Sequence, residues 1–211
     1  MRHRGLFRSR NTESLLFPNC RYDPAHHFDR SPDTSSWQAY EEGRRFVADM
    51  RAEAVHAIEE GRDDDSLKLM GRGMHALQDF FSHSNVIELP QPVQETLIEA
   101  MWSDPLPSAV PELVLAEFDG CPDDPDLSEK PPSRKDLVDR CVEDLADTHL
   151  CMSKDNPASV QGRSRTGTGQ RNFRVALDLA AAQSARFLLA VRDDVGPLAW
   201  ERVSQATTSV R

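Results

Sequence analysis

Lysine is scarce in this chain: of 25 basic residues only 4 are lysine, against 35 acidic ones, and the net charge is −10. A surface of that sign is poorly suited to gripping a phosphate backbone by bulk electrostatics, so nucleic acid is not an expected partner, whereas bound cations are tolerated. Long hydrophobic runs are missing too. No stretch of about 18 apolar residues exists, so no membrane-spanning helix is expected. The basic opening MRHRGLFRSRNTESLLF has no continuous apolar core and no small-residue cleavage site, and reads as no signal peptide. The four cysteines, Cys20, Cys121, Cys141 and Cys151, show no CxxC spacing, and the expectation is free thiols in the cytoplasm. Gly-rich phosphate loops, GxSxG elbows and HExxH are all lacking, as are tandem repeats and hairpin dipeptides between alternating strands.

What is present is helical periodicity. Val47, Met50, Ala54 and Ile58 recur at three and four, which predicts a helix over 37–61 closed by Gly61. Leu67, Met70, Met74, Leu77 and Phe81 give the next, over 66–83. Pro92 can begin a third helix reaching Trp102, and a short fourth is expected over Val110–Phe118. A further helix is predicted over 135–149 and the longest clean one over 172–194, before Gly196-Pro197. The segments 119–133, rich in Pro and Asp, and 158–170, rich in Gly, Ser and Thr, read as loops, the second as mobile. The fold class is all-α: a single multi-helix domain with long irregular loops. An irregular N-terminal segment, 1–35, precedes a helical domain, 36–196, and a C-terminal tail, 197–211.

One stretch carries chemistry. In GRGMHALQDFFSHSN, His75, Asp79 and His83 follow one another at intervals of four. On a helix such residues are neighbours, roughly 5–6 Å apart at Cβ, and they form one ridge about 100° away from the apolar stripe. Zinc takes neutral imidazole nitrogen and carboxylate oxygen at about 2.0–2.2 Å, so two ligands one turn apart can share an ion. Three span about 12 Å of helix axis, more than one ion bridges. The pattern therefore suits two ions, with Asp79 central and His83 serving the second. Gly71, one turn before His75, leaves room for backbone or substrate to approach. The alternative is an ion-paired aspartate with two half-buried histidines.

The surrounding text, MGRGMHALQDFFSHSNVIEL, resembles the Het-C family, itself similar to zinc-dependent phospholipases C. HHFDR at 26–30 is similar to an HFD preceding the family's long helices, and CMSKDNPAS at 151–159 to a GINKDS stretch. The resemblance implies an all-helical fold with clustered metal ions. It implies that His27 joins His75 and Asp79 at one ion, with His26 as the register alternative, and that His83 belongs to another. Glu88 matches a family position that could equally be a surface or supporting group. The chain departs from the pattern elsewhere: no His-x3-Glu pair follows the central helix, Asn172 stands where relatives have histidine, and Val86 replaces a tryptophan. One metal centre is thus implied in full and a second in part.

Other polar residues read as structural. His56 lies one turn from Glu60 on a solvated face, His149 and Cys151 form an HxC at a helix end, and Lys154-Asp155 suits a turn. Two functions follow. One is a metal-dependent phosphodiester hydrolase, phospholipase C-like, acting on phospholipid or another phosphodiester through one or two zinc ions, with His27, His75, Asp79 and His83 as ligands and Asp23 or Asp29 accepting a proton. The other is a non-catalytic helical interaction module with a structural metal or none.

Overall fold

A computed structural model describes residues 23–103, 108–117, 149–155, 157 and 159–209. Among the described residues the chain is helical, with isolated β-bridges and no strand. The all-α expectation therefore holds. No helix among them is long and apolar enough to cross a membrane.

A 3-10 turn, Pro24–His27, leads into α1, Ser36–Glu59, and α2, Asp63–Ser82. Ser35 and Gln38 form a capping box that fixes the start of α1, a device worth about 1 kcal/mol. Gly61, at φ 73, makes the left-handed turn that folds α2 back against α1. Three aspartates, Asp63, Asp64 and Asp65, occupy the first turn of α2, where the helix dipole favours them. A short 3-10 turn, Val86–Glu88, precedes α3, Gln91–Ala100. Two one-turn helices follow, α4 (His149–Met152) and α5 (Val160–Arg163), then α6, Asn172–Val195, and α7, Pro197–Ser209.

The core lies between α1, α2 and α6. Val47, Ile58, Met74, Leu77, Phe80, Phe81 and Phe187 are buried there. Close approach of the helices depends on two glycines. A Cβ on Gly73 would come within 2.9 Å of the Phe187 ring and 3.1 Å of Met50, and one on Gly43 within 2.7 Å of the Phe28 ring. Tyr40, fully buried, donates to the Leu97 carbonyl at 2.6 Å and ties α3 to α1; burial pushes its hydroxyl pKa well up.

Four expectations change. Residues 110–117 are not helical. Leu113 N–H closes a local turn on the Val110 carbonyl, and the next N–H groups go to distant partners: Val114 donates to Asn85 Oδ1, Leu115 to Ser36 Oγ and Ala116 to the His83 carbonyl. After a turn at 111–112 the segment runs extended, with Leu113, Leu115 and Ala116 buried. Residues 159–171 are ordered by α5 and by an Arg165–Arg171 bridge around a turn that Gly169 closes at φ 81. The stretch read as a tail continues as α7, because Gly196 at φ 78 ends α6 and Pro197 opens a new helix. Val203 of α7 is buried, and Arg202 reaches Asp63 at 3.0 Å. Cys151 is not a free thiol but part of a disulfide bond whose partner lies outside the described residues. Spacing did not reveal this, since pairing brings together cysteines distant in sequence. The helix predicted over 135–149 lies outside the described residues except at its last position.

Candidate metal centre

The site is assembled by one buried aromatic. Phe28 caps the first 3-10 turn at φ 54, a left-handed conformation that costs a non-glycine residue about 1–2 kcal/mol. The strain is held because its ring is fully buried against Tyr40 and Phe80, in the space Gly43 leaves. With Phe28 driven into the core, the preceding His27 faces α2.

His27 Nδ1 and Asp79 Oδ2 are hydrogen-bonded at 2.9 Å across 52 residues of sequence. His75 Nε2 lies 3.2 Å from the same oxygen, one helical turn away. The two imidazoles stand at right angles, ring centroids 5.0 Å apart. All three ligand atoms fall within 4.8 Å of one another, and this is the one such cluster among the described residues. Despite its proximity to the carboxylate, His75 Nε2 is buried and makes no hydrogen bond among the described residues. Ligands around a tetrahedral ion at about 2.0–2.2 Å stand roughly 3.3 Å from one another, and the two nitrogen–oxygen separations, 2.9 and 3.2 Å, are close to that. The donor set, two imidazoles and a carboxylate, suits zinc. Burial pushes the Asp79 carboxyl pKa up; the His27 hydrogen bond and the two histidines pull it back, and Asp29 adds to the rise. A cation relieves that burial cost directly.

His83 does not join this cluster. Helix α2 ends at Ser82, and His83 at φ −113, ψ 17 turns off the ridge. Its nitrogens face Asp29 at 3.9 Å and Asp155 at 4.0 Å, and the ring is 3% exposed. Nearby, Lys154 is buried and donates to the carbonyls of Ser84 at 2.6 Å and Met152 at 3.1 Å. Glu88 stands 3.9 Å from that ammonium and accepts from Asn172 at 3.0 Å, so it belongs to this network and not to the triad. Desolvation lowers the Lys154 pKa to about 8, against a partial upward pull from Glu88. A buried lysine was not legible in the sequence, where Lys154-Asp155 resembled an ordinary turn.

The remaining candidates are elsewhere. His26 stacks on Phe46, centroids 4.0 Å apart, and lies 3.5 Å from Asp23, which caps the 3-10 turn through Ala25 N–H. His27 is thus the residue in register. Asp29 is buried beside His83. His56 pairs with Glu60 at 3.1 Å on the exposed face of α1.

Residues 6–104, just under half of the chain, match the family model of the VWA7 N-terminal domain. No curated protein and no solved structure matches. The matching family is not Het-C, and nothing supports a relationship to it or to the phospholipases C; that resemblance is overturned. The text that carried it is short and made of features any tightly packed helix with a polar ridge can share: glycine at a close contact, aromatics inward and histidines one turn apart. His27, His75, Asp79 and His83 all lie inside the matched segment, whereas Cys151, Lys154, α6 and α7 lie outside it.

Proposed function

We propose that the chain is a metal-dependent hydrolase of phosphodiester bonds with a single zinc ion held by His27, His75 and Asp79. The observation that carries this is the buried His75 Nε2, 3.2 Å from a carboxylate oxygen yet making no hydrogen bond among the described residues, a position suited to sharing a third party with that oxygen. Three protein ligands with a partly exposed edge are the arrangement of sites that keep a coordination position open, and the His75 side chain is 33% exposed. The ion would supply Lewis-acid polarisation of a phosphoryl oxygen and of water. Asp79 anchors the site and His27 ties it to the 3-10 turn. Of the two carboxylates that could accept a proton, Asp23 is engaged in capping; Asp29, which interacts electrostatically with Asp79, takes that role with His83 behind it.

A second reading, a non-catalytic helical module with a structural ion, is favoured by one feature. The ligands come from two elements far apart in sequence, so an ion would weld the 3-10 turn to α2. Zinc stoichiometry together with hydrolysis of bis(p-nitrophenyl) phosphate separates the two. One zinc per chain with metal-dependent turnover supports the hydrolase; one zinc without turnover supports the module; no zinc removes both. The disulfide at Cys151 supports an oxidising compartment in preference to the cytoplasm.

A further inference from the structure

One turn before His75 the surface carries an arginine that no carboxylate among the described residues pairs with. Arg72 lies one turn before His75 on α2, on the side of the helix that turns toward Asp79. Its guanidinium is held over the Phe46 ring at 5.5 Å. Phe46 also stacks with His26, whose neighbour in the chain is His27. Arg72, like Arg163, Arg165 and Arg171, forms no ion pair among the described residues, whereas Arg30, Arg51, Arg62, Arg174, Arg186, Arg192 and Arg202 each pair with a carboxylate. Between Arg72 and the preceding turn, Gly71 leaves open space: a Cβ there would meet nothing within 4 Å.

We infer that Arg72, seated on Phe46, is the anchor for a phosphoryl group bound at the metal centre, with the space over Gly71 receiving it. This rests on the metal reading above. A divalent ion would offset the Asp79 carboxylate and the neighbouring Asp29, and Arg72 adds a positive charge in a chain whose net charge is −10. Such a pair of cations favours an anion. The guanidinium fork matches two oxygens at once, and a tetrahedral phosphoryl group can offer these while another oxygen reaches the ion. A carboxylate has only two oxygens and cannot satisfy both partners in that way. The ring beneath restricts the guanidinium to one region, which lowers the entropy lost on binding.

The test is calorimetric titration of inorganic phosphate into the zinc-loaded full chain, with zinc affinity measured alongside. Arg72→Gln is expected to leave zinc affinity unchanged and to weaken phosphate binding about tenfold or more, the scale of a lost charge-assisted pair. Arg72→Lys should lie between it and the parent, and Phe46→Leu should weaken phosphate by a smaller factor. If zinc binds and phosphate affinity is the same in Arg72→Gln, or phosphate does not bind the parent at all, the anchor is wrong and the metal centre stands. If the parent takes up no zinc, the anchor falls together with the metal reading.

Discussion

Two polar regions flank the same helix, and they are built differently. At the middle of α2, His75 and Asp79 meet His27, and the ligand atoms converge within 4.8 Å. At its C-terminal end, His83 stands 3.9 Å or more from the nearest carboxylates, and a buried lysine is tied down by backbone carbonyls. The first region gathers two imidazoles and a carboxylate around a point, with no hydrogen bond at His75 Nε2 among the described residues; the second joins segments of chain. Lys154 N–H itself donates to the Ser82 carbonyl at 3.0 Å, continuing that lacing. Equal spacing along a ridge therefore does not confer equal roles. What divides them is where the helix stops and which outside element arrives.

The comparison can be broken most forcefully at the disulfide. Reduction of the bond at Cys151 should cost about 2–4 kcal/mol, seen as a lower urea midpoint. Zinc affinity should be untouched, because Cys151 belongs to the lacing region. A parallel fall in zinc affinity would show that the two regions are one unit.

Zinc should raise the melting temperature, by the equivalent of about 2.7 kcal/mol at 100-fold over Kd. Asp79→Asn should abolish this increment, while in chelator its melting temperature should match or exceed the parent's, since the substitution removes a carboxylate that burial disfavours. His83→Gln should keep one zinc per chain; a loss of zinc in that variant would contradict the division drawn here.

Two glycines sharpen the contrast at about 1–3 kcal/mol each. Gly43→Ala pushes on Phe28, and Gly73→Ala on Phe187 and Met50. Both should lower the melting temperature. Only Gly43→Ala should also weaken zinc, because Phe28 sets the position of His27.

The smallest effect is titration of Lys154. Its folded pKa of about 8 lies below the ordinary 10.5, so within that window the unfolded chain binds more protons and stability rises with pH. Urea midpoints at pH 7 and 9.5 should show this rise in the parent and not in Lys154→Met. His56→Ala, on an exposed face, should change neither midpoint nor zinc affinity.

The helices α1, α2, α3 and α6 were legible in the sequence because each must bury a stripe, and the repeat of three and four writes that need into the residues. So was the His75–Asp79 pair, since i and i+4 are neighbours on any helix. The fate of 110–117 was not legible: its backbone partners come from Ser36, His83 and Asn85, far away in the chain. Neither were the burial of Lys154, the pairing of Cys151, nor the stacking that leaves Arg72 beside the triad, all of which depend on segments brought together only by folding. By itself the sequence determined that this protein is helical and that one ridge is polar, because periodicity and i,i+4 adjacency are local properties of a chain. The tertiary structure alone decided that His27 faces Asp79 at 2.9 Å while His83 turns away, because that depends on Phe28 filling the gap at Gly43 and on α2 ending at Ser82.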